Sequence, residues 1–269
     1  MYVTDFNNSV VEIYTYPKGK HVGALTSGML NPQGECTDAA GNVYVANTGN
    51  SNVLVYAHGG TTPVRVLDNP GQYPVGCSVN ASDGDVAAAD IFSPTTGVGA
   101  VTVWKSGSNQ GTTYVQPAGL INCVSITYDG SGNLYVAGSD SNGPAIAYLR
   151  AGSMTWKLAT IKGVSSSNLG FMQWDGRYVA FVDSQNEAID RVRFNGRVGQ
   201  VVRTVQYDGY VSTLCFFGPS GQRKLATLSF YPSVSLYQYP AGGSPFKTIP
   251  LPDVESYAAL EGLAISQSS

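Results

Sequence analysis

Four side chains of this 269-residue chain have types that could do oxygen chemistry at one place: Glu35, Asn122, Asn168 and Glu261. Carboxylate and amide oxygens are hard donors, so such a set suits Ca²⁺ or another divalent cation, or polar recognition of a ligand. With a cation polarising an ester or lactone carbonyl, Glu261 and Asn168 would serve as ligands and Glu35 as a base. The four are far apart in sequence, so only a fold that returns at regular intervals can gather them.

Other chemistries find little support. The two histidines, His21 and His58, sit beside Gly or Lys in segments that read as outer hairpins, where a solvated role is the plain reading. Ser153 and Ser220 have no candidate base, and no Gly-x-Ser-x-Gly elbow is present. His/Cys spacing for zinc is absent. Asp129-Gly-Ser-Gly-Asn133 lacks the sixth-position glycine and terminal Glu of a calcium loop and reads as a turn.

The positioning elements come from a repeat. Tyr2 to Tyr14 matches Tyr44 to Tyr56, and Leu134-Tyr-Val-Ala-Gly138 repeats their start. Asp38-Ala-Ala-Gly41-Asn42 and Asp129-Gly-Ser-Gly132-Asn133 read as tight turns, Asp capping turn amides and Gly taking positive φ. Val43–Ala46 and Val53–Tyr56 are short β-branched and aromatic runs, which read as strands. Tyr56 to Pro63 and Tyr239 to Pro245 are one outer hairpin used twice. The turn markers Asn42, Asp85, Asn133, Arg177 and Gln222 are 43, 48, 44 and 45 residues apart, the period of four-stranded propeller blades. No stretch keeps helical apolar spacing.

These readings predict an all-β, single-domain, six-bladed β-propeller over residues 1–269. Inner strands are expected near 33–38, 75–80, 122–128, 168–174, 211–217 and 258–265, the last completing the N-terminal blade. That arrangement would bring Glu35, Asn122, Asn168 and Glu261 to the mouth of the central channel. The four cysteines fall one each in inner strands: the expected bridge joins Cys77 to Cys123 or to Cys36, and Cys215 stays free. Tyr14, Tyr44, Tyr56, Tyr135, Tyr178 and Tyr237 recur at repeat positions and should pack between blades, and Trp174 should be buried or line the channel.

The Pro-x-Gly-x-x-x-Asp-x-x-Gly-Asn-x-Tyr-Val-Ala pattern at Pro32, Gly34, Asp38, Gly41, Asn42, Tyr44, Val45 and Ala46 resembles NHL-repeat six-bladed propellers. The whole chain looks like uncharacterised exported bacterial members of that superfamily. Glu261-Gly262, and Ser167-Asn168 near Gly170, are similar to metal-binding positions of gluconolactonase-like propellers, although Tyr210 to Leu214 lacks the Asp-Gly expected on another inner strand. The first resemblance implies a fold without fixing an activity; the second implies a divalent-metal-dependent lactonase or esterase as the alternative to a non-catalytic binding protein.

Composition narrows the partners. Charged residues are 12%, about half the usual ~25%, which suits an exported, extracytoplasmic protein whose leader is absent from this chain. A net charge of -3, with no basic run, gives no footprint for nucleic acid. Residues 1–150 hold 5 basic and 10 acidic groups and the remainder 10 and 8. No apolar run approaches the ~20 residues of a membrane span. A monomer that binds protein, peptide or carbohydrate without a cofactor is the expectation. Asn7 and Asn80 begin Asn-x-Ser sequons.

Overall fold

The computed structural model describes residues 1–162, 170–183, 186–219, 221–229, 231–254 and 259–267. The first strands are β1 (Tyr2–Asp5), β2 (Val10–Tyr14) and β3 (His21–Leu25). Next come β4 (Pro32–Thr37), β5 (Val43–Asn47), β6 (Asn52–Tyr56) and β7 (Pro63–Asp68). They are followed by β8 (Pro74–Val79), β9 (Val86–Asp90), β10 (Ala100–Trp104) and β11 (Gly111–Val115). Then follow β12 (Asn122–Tyr128), β13 (Leu134–Asp140), β14 (Gly143–Leu149) and β15 (Trp156–Lys162). A shorter innermost strand opens the next run: β16 (Met172–Trp174), β17 (Val179–Asp183), β18 (Ala188–Asn195) and β19 (Val198–Gln206). The chain finishes with β20 (Cys215–Phe217), β21 (Lys224–Leu228), β22 (Ser233–Gln238), β23 (Lys247–Pro250) and β24 (Leu260–Ala264). Two 3₁₀ turns are the only helical segments among the described residues.

Four sheets have four strands, in the orders β24-β1-β2-β3, β4 to β7, β8 to β11 and β20 to β23. The fifth has eight. It consists of two antiparallel runs, β12 to β15 and β16 to β19, joined where Thr160–Lys162 of β15 runs parallel to Val198–Gln200 of β19. The C-terminal strand pairs with the N-terminal one, Tyr2 opposite Ala264 and Thr4 opposite Gly262, as the repeat register predicts. Innermost strands touch in sequence, β24 to β4, β4 to β8, β8 to β12, β12 to β16 and β16 to β20, and β24 also meets β21. The innermost strands begin at one end of the ring, called here the entry end, and β4, β8, β12, β16 and β20 finish in turns at the other, the turn end.

Burial follows position in the sheet. Second strands such as Val43–Asn47, Val86–Asp90 and Val179–Asp183 are buried throughout, because both of their faces are covered and a continuous apolar run satisfies both. Outermost strands such as β11 and β15 are largely exposed. The core therefore lies between neighbouring sheets: Tyr44, Val53, Val55 and Leu67 of one sheet pack on Val86, Ala88 and Trp104 of the next. The six recurring tyrosines are all buried, as the repeat predicts.

The turn chemistry matches its sequence reading. Asp38 Oδ1 accepts the amides of Ala40 and Asn42, and Oδ2 accepts Asn42 Nδ2 and the Tyr44 hydroxyl. Asp129 repeats all four bonds with Ser131, Asn133 and Tyr135. Gly41 and Gly132 supply φ of 81° and 76°.

Near the narrow axis the backbones approach closely. A Cβ on Gly34 would fall 2.5 Å from Val75 O, and one on Gly262 would fall 2.3 Å from Gln33 O. Most inner strands also carry an extra residue near their start: Val75 in β8, Val124 in β12 and Glu261 in β24 have no opposite number on the second strand. Such bulges bend a strand and re-aim a side chain.

The disulfide joins Cys36 to Cys77, with Cα atoms 5.7 Å apart, tying β4 to β8. This corrects the Cys77–Cys123 pairing: Cys123 is a free, fully buried thiol packed against Ala89, Val101 and Leu120. Cys215 is also free and buried, and burial pushes its pKa up to about 12. Asn80 is buried in its own turn, where its amide oxygen accepts from Ser82.

Candidate functional site

The inner strands enclose a cavity of about 400 Å³ that runs from Glu35, Val124 and Glu261 at the entry end to Asp38, Asp129 and Gln267 among the tight turns. Glu35 and Glu261 both line it. Asn122 does not line this cavity. It stands at the first pair of β12, and its side-chain oxygen accepts the Ser139 amide at 2.8 Å, so the group is spent on the ladder. Asn168 lies outside the described residues.

Glu35 is the chemically distinctive group. Part of the residue faces the channel, but the carboxyl is deep: Oε1 accepts the Thr4 hydroxyl at 2.6 Å, and Oε2 is buried without a partner. Burial pushes its pKa up to about 8, against the opposing pull of the Thr4 hydroxyl and the Ala264 amide. At neutral pH the carboxyl is therefore mostly neutral. It can donate a hydrogen bond but is a poor cation ligand. Burial also raises the pKa of Glu261.

The rest of the wall is polar but largely engaged. Gln173 Oε1 accepts the Phe216 amide, and Ser125 is bonded to the backbone of Met172. Trp174 lines the channel, its ring lying over Gly130, where a Cβ would fall 3.2 Å from Cζ2. Among the described residues no three His, Cys, Asp or Glu side chains converge as a metal set would. Both histidines are outside the channel. His21 is bonded to Glu12 at 2.6 Å, and His58 to Ser266, whose hydroxyl is given to Gly41 O.

No protein-family model matches the chain, and no curated protein matches it by sequence. Solved structures do match in shape. A nidogen/laminin complex superposes with a TM-score of 0.71 at 14% identity, over 99% of this chain and 98% of the other. The structure of U3-55K gives 0.61 at 12% identity, over 84% of this chain and 70% of that one. The chain is a β-propeller.

The propeller's two ends differ in ways the channel does not reveal. At the entry end the connections expose Leu30, Phe92, Ile121, Tyr210 and Tyr231, each from a different connection, with Tyr231 79% exposed. The twelve connections at that end contain no lysine or arginine in their sequence. At the turn end, Lys18, Lys20, Lys105, Arg150, Arg177, Arg197 and Arg223 lie in connections. The exposed apolar rim escaped the sequence reading; for Leu30, Ile121, Tyr210 and Tyr231 a signal was present in a large apolar residue beside Gly, Pro or Asn in a segment that must turn.

Proposed function

We propose that this chain is a non-catalytic, monomeric binding propeller that engages a protein partner through its entry end. One observation carries the reading: the rim of Leu30, Phe92, Ile121, Tyr210 and Tyr231 on connections whose sequences contain no lysine or arginine. Exposed apolar clusters rimmed by polar groups are characteristic of protein contact sites. The matching chain from a nidogen/laminin complex shares the fold and supports this reading by analogy. Six blades within one domain, residues 1–269, are the reading favoured by dividing the eight-stranded sheet at its parallel junction and by the ~45-residue period, and the Pro32 to Ala46 pattern favours the NHL type. Export fits the disulfide and the low charge content.

Selection of a random-peptide display library on the folded protein tests the reading. Enriched peptides should include a mutually competing set that loses binding to a Phe92→Glu/Ile121→Glu variant. No enrichment, or enrichment confined to peptides insensitive to both changes, would overturn it.

The alternative, a divalent-metal-dependent lactonase or esterase, rests on Glu35 and Glu261 facing one channel. It requires calcium-type binding by a site whose central carboxyl is largely protonated at neutral pH. Equilibrium dialysis with ⁴⁵Ca²⁺ separates the two readings: stoichiometric binding lost in Glu261→Ala supports the enzyme, and its absence supports the binding protein.

A further inference from the structure

A groove on the turn end, between β19 and the β20 to β23 sheet, gathers positive charge with little to balance it. Arg203 on β19, Arg223 and Lys224 at the start of β21, and Tyr239 and Pro240 line it. Asp175, the acid bonded to the groove residue Tyr239, is buried and fully engaged. Its carboxylate accepts the amides of Arg177 and Tyr178, Arg191 Nε at 2.7 Å and the Tyr239 hydroxyl at 2.6 Å. Arg191 neutralises it.

More guanidinium groups crowd the same seam. Arg223 lies against the Gly176 turn, where a Cβ would fall 3.1 Å from Nη2. Arg177, Arg191 and Arg193 lie 5.3, 4.7 and 5.5 Å from the Tyr178 ring centre, and Arg203 is the register partner of Arg191 across β18 and β19. Among the described residues no carboxylate lies within 4.0 Å of Arg177, Arg193, Arg203, Arg223 or Lys224. By contrast Lys105, also at the turn end, holds Asp85 at 2.6 Å. Unbalanced like charge in a concavity raises the local potential and concentrates anions.

We propose that this groove binds an acidic peptide segment, whose Asp or Glu carboxylates pair with the Arg203 and Arg223 guanidinium groups. Arginine forks match carboxylates in two parallel hydrogen bonds, a fit that lysine lacks. A carbohydrate polyanion is disfavoured because the aromatic rings here are already covered. Three guanidinium groups stand around Tyr178, Tyr239 is packed by Arg191 and Phe216, and Lys224 stands over Phe246. Tyr239, the aromatic side chain of the groove lining, is buried and presents no open face to a sugar. The site is independent of the entry-end reading and lies on the opposite face.

Fluorescence anisotropy of a labelled Asp/Glu octapeptide, titrated with the intact protein, tests the proposal. Binding should be saturable, weaken about tenfold or more in Arg203→Gln/Arg223→Gln, and fall steeply between about 50 and about 300 mM salt. The exposed single variant Arg203→Gln should weaken it part-way with an unchanged thermal melt, and Phe92→Glu should leave it unaltered. Lack of binding by the acidic peptide, wild-type affinity in the double variant, or tighter arginine-dependent binding of a sulfated oligosaccharide would overturn the assignment.

Discussion

The two ends of the ring are built from the same strands yet differ in the basic residues their connections carry. Of the 15 lysines and arginines, seven lie in turn-end connections, the other eight on strands, and none in entry-end connections. At the turn end an acid opens the turn and caps it, as Asp38 and Asp129 do. At the entry end acids close the second strand: Asp5 holds Asn8 and Asp183 holds Asn186, each through backbone amide and side-chain amide. Asp90 is buried there between Asn69 and Thr102. The difference shows that a repeat constrains strands strongly and connections weakly, so each face is free to acquire its own charge.

Both ends hang on one inner wall, and breaking it should blur the comparison most. Cys36→Ser/Cys77→Ser removes a link across 41 residues, and its cost is about 4 kcal/mol by loop-closure entropy. Urea unfolding should show that loss, while a drop below about 1 kcal/mol would mean that the wall holds without the bridge.

The faces themselves separate next. Phe92→Glu/Ile121→Glu should cut binding of entry-end peptide ligands by roughly 30-fold or more, while Arg203→Gln/Arg223→Gln leaves it within about twofold. Equal losses from both variants would erase the functional distinction between the ends.

Acidity offers a subtler test. Glu35 and Asp90 have native pKa values raised to about 8 and about 7, above their unfolded values. The native state thus holds more protons through this interval, and stability is fully present below the unfolded values of about 4 and lost as pH rises through 7 and 8. Unfolding free energy should fall from pH 5 to pH 9, and Glu35→Gln should remove part of that slope, on the order of 2 kcal/mol at pH 9. A flat profile from pH 5 to 9 would contradict the burial of both carboxyls.

The smallest effect concerns the turns. Asp38→Ala and Asp129→Ala should each cost about 1 kcal/mol, with matching losses because their bonding is the same. A threefold disparity would show that the two repeats are not equivalent in solution.

Much of the fold was legible because its turn residues have one physical job each: Asp38, Gly41 and Asn42 announce the same bonds that Asp129, Gly132 and Asn133 make. The later inner strands were less legible. Expected at 168–174 and 211–217, those described are Met172–Trp174 and Cys215–Phe217. Before β20 the Thr227 hydroxyl accepts the Ser212 and Thr213 amides, and Thr213 accepts the Leu228 amide. Side chains there do the work of a ladder, which periodicity does not reveal. In the site, Glu35 and Glu261 follow from strand register, whereas Asn122 shares their residue class but is consumed by a backbone bond. The arginine groove comes from residues 177 to 224 on several strands and turns, and only the excess of basic residues beyond position 150 hinted at it.

The unpaired letter near the start of inner strands has an evolutionary corollary. At that place β12 sets Val124 and β24 sets Glu261 on the lining of the pore. A residue with no opposite number can be exchanged without disturbing the hydrogen-bonded rungs on either side. Descendants of this sequence could therefore revise the pore from greasy to acidic one codon at a time while inheriting the ring intact.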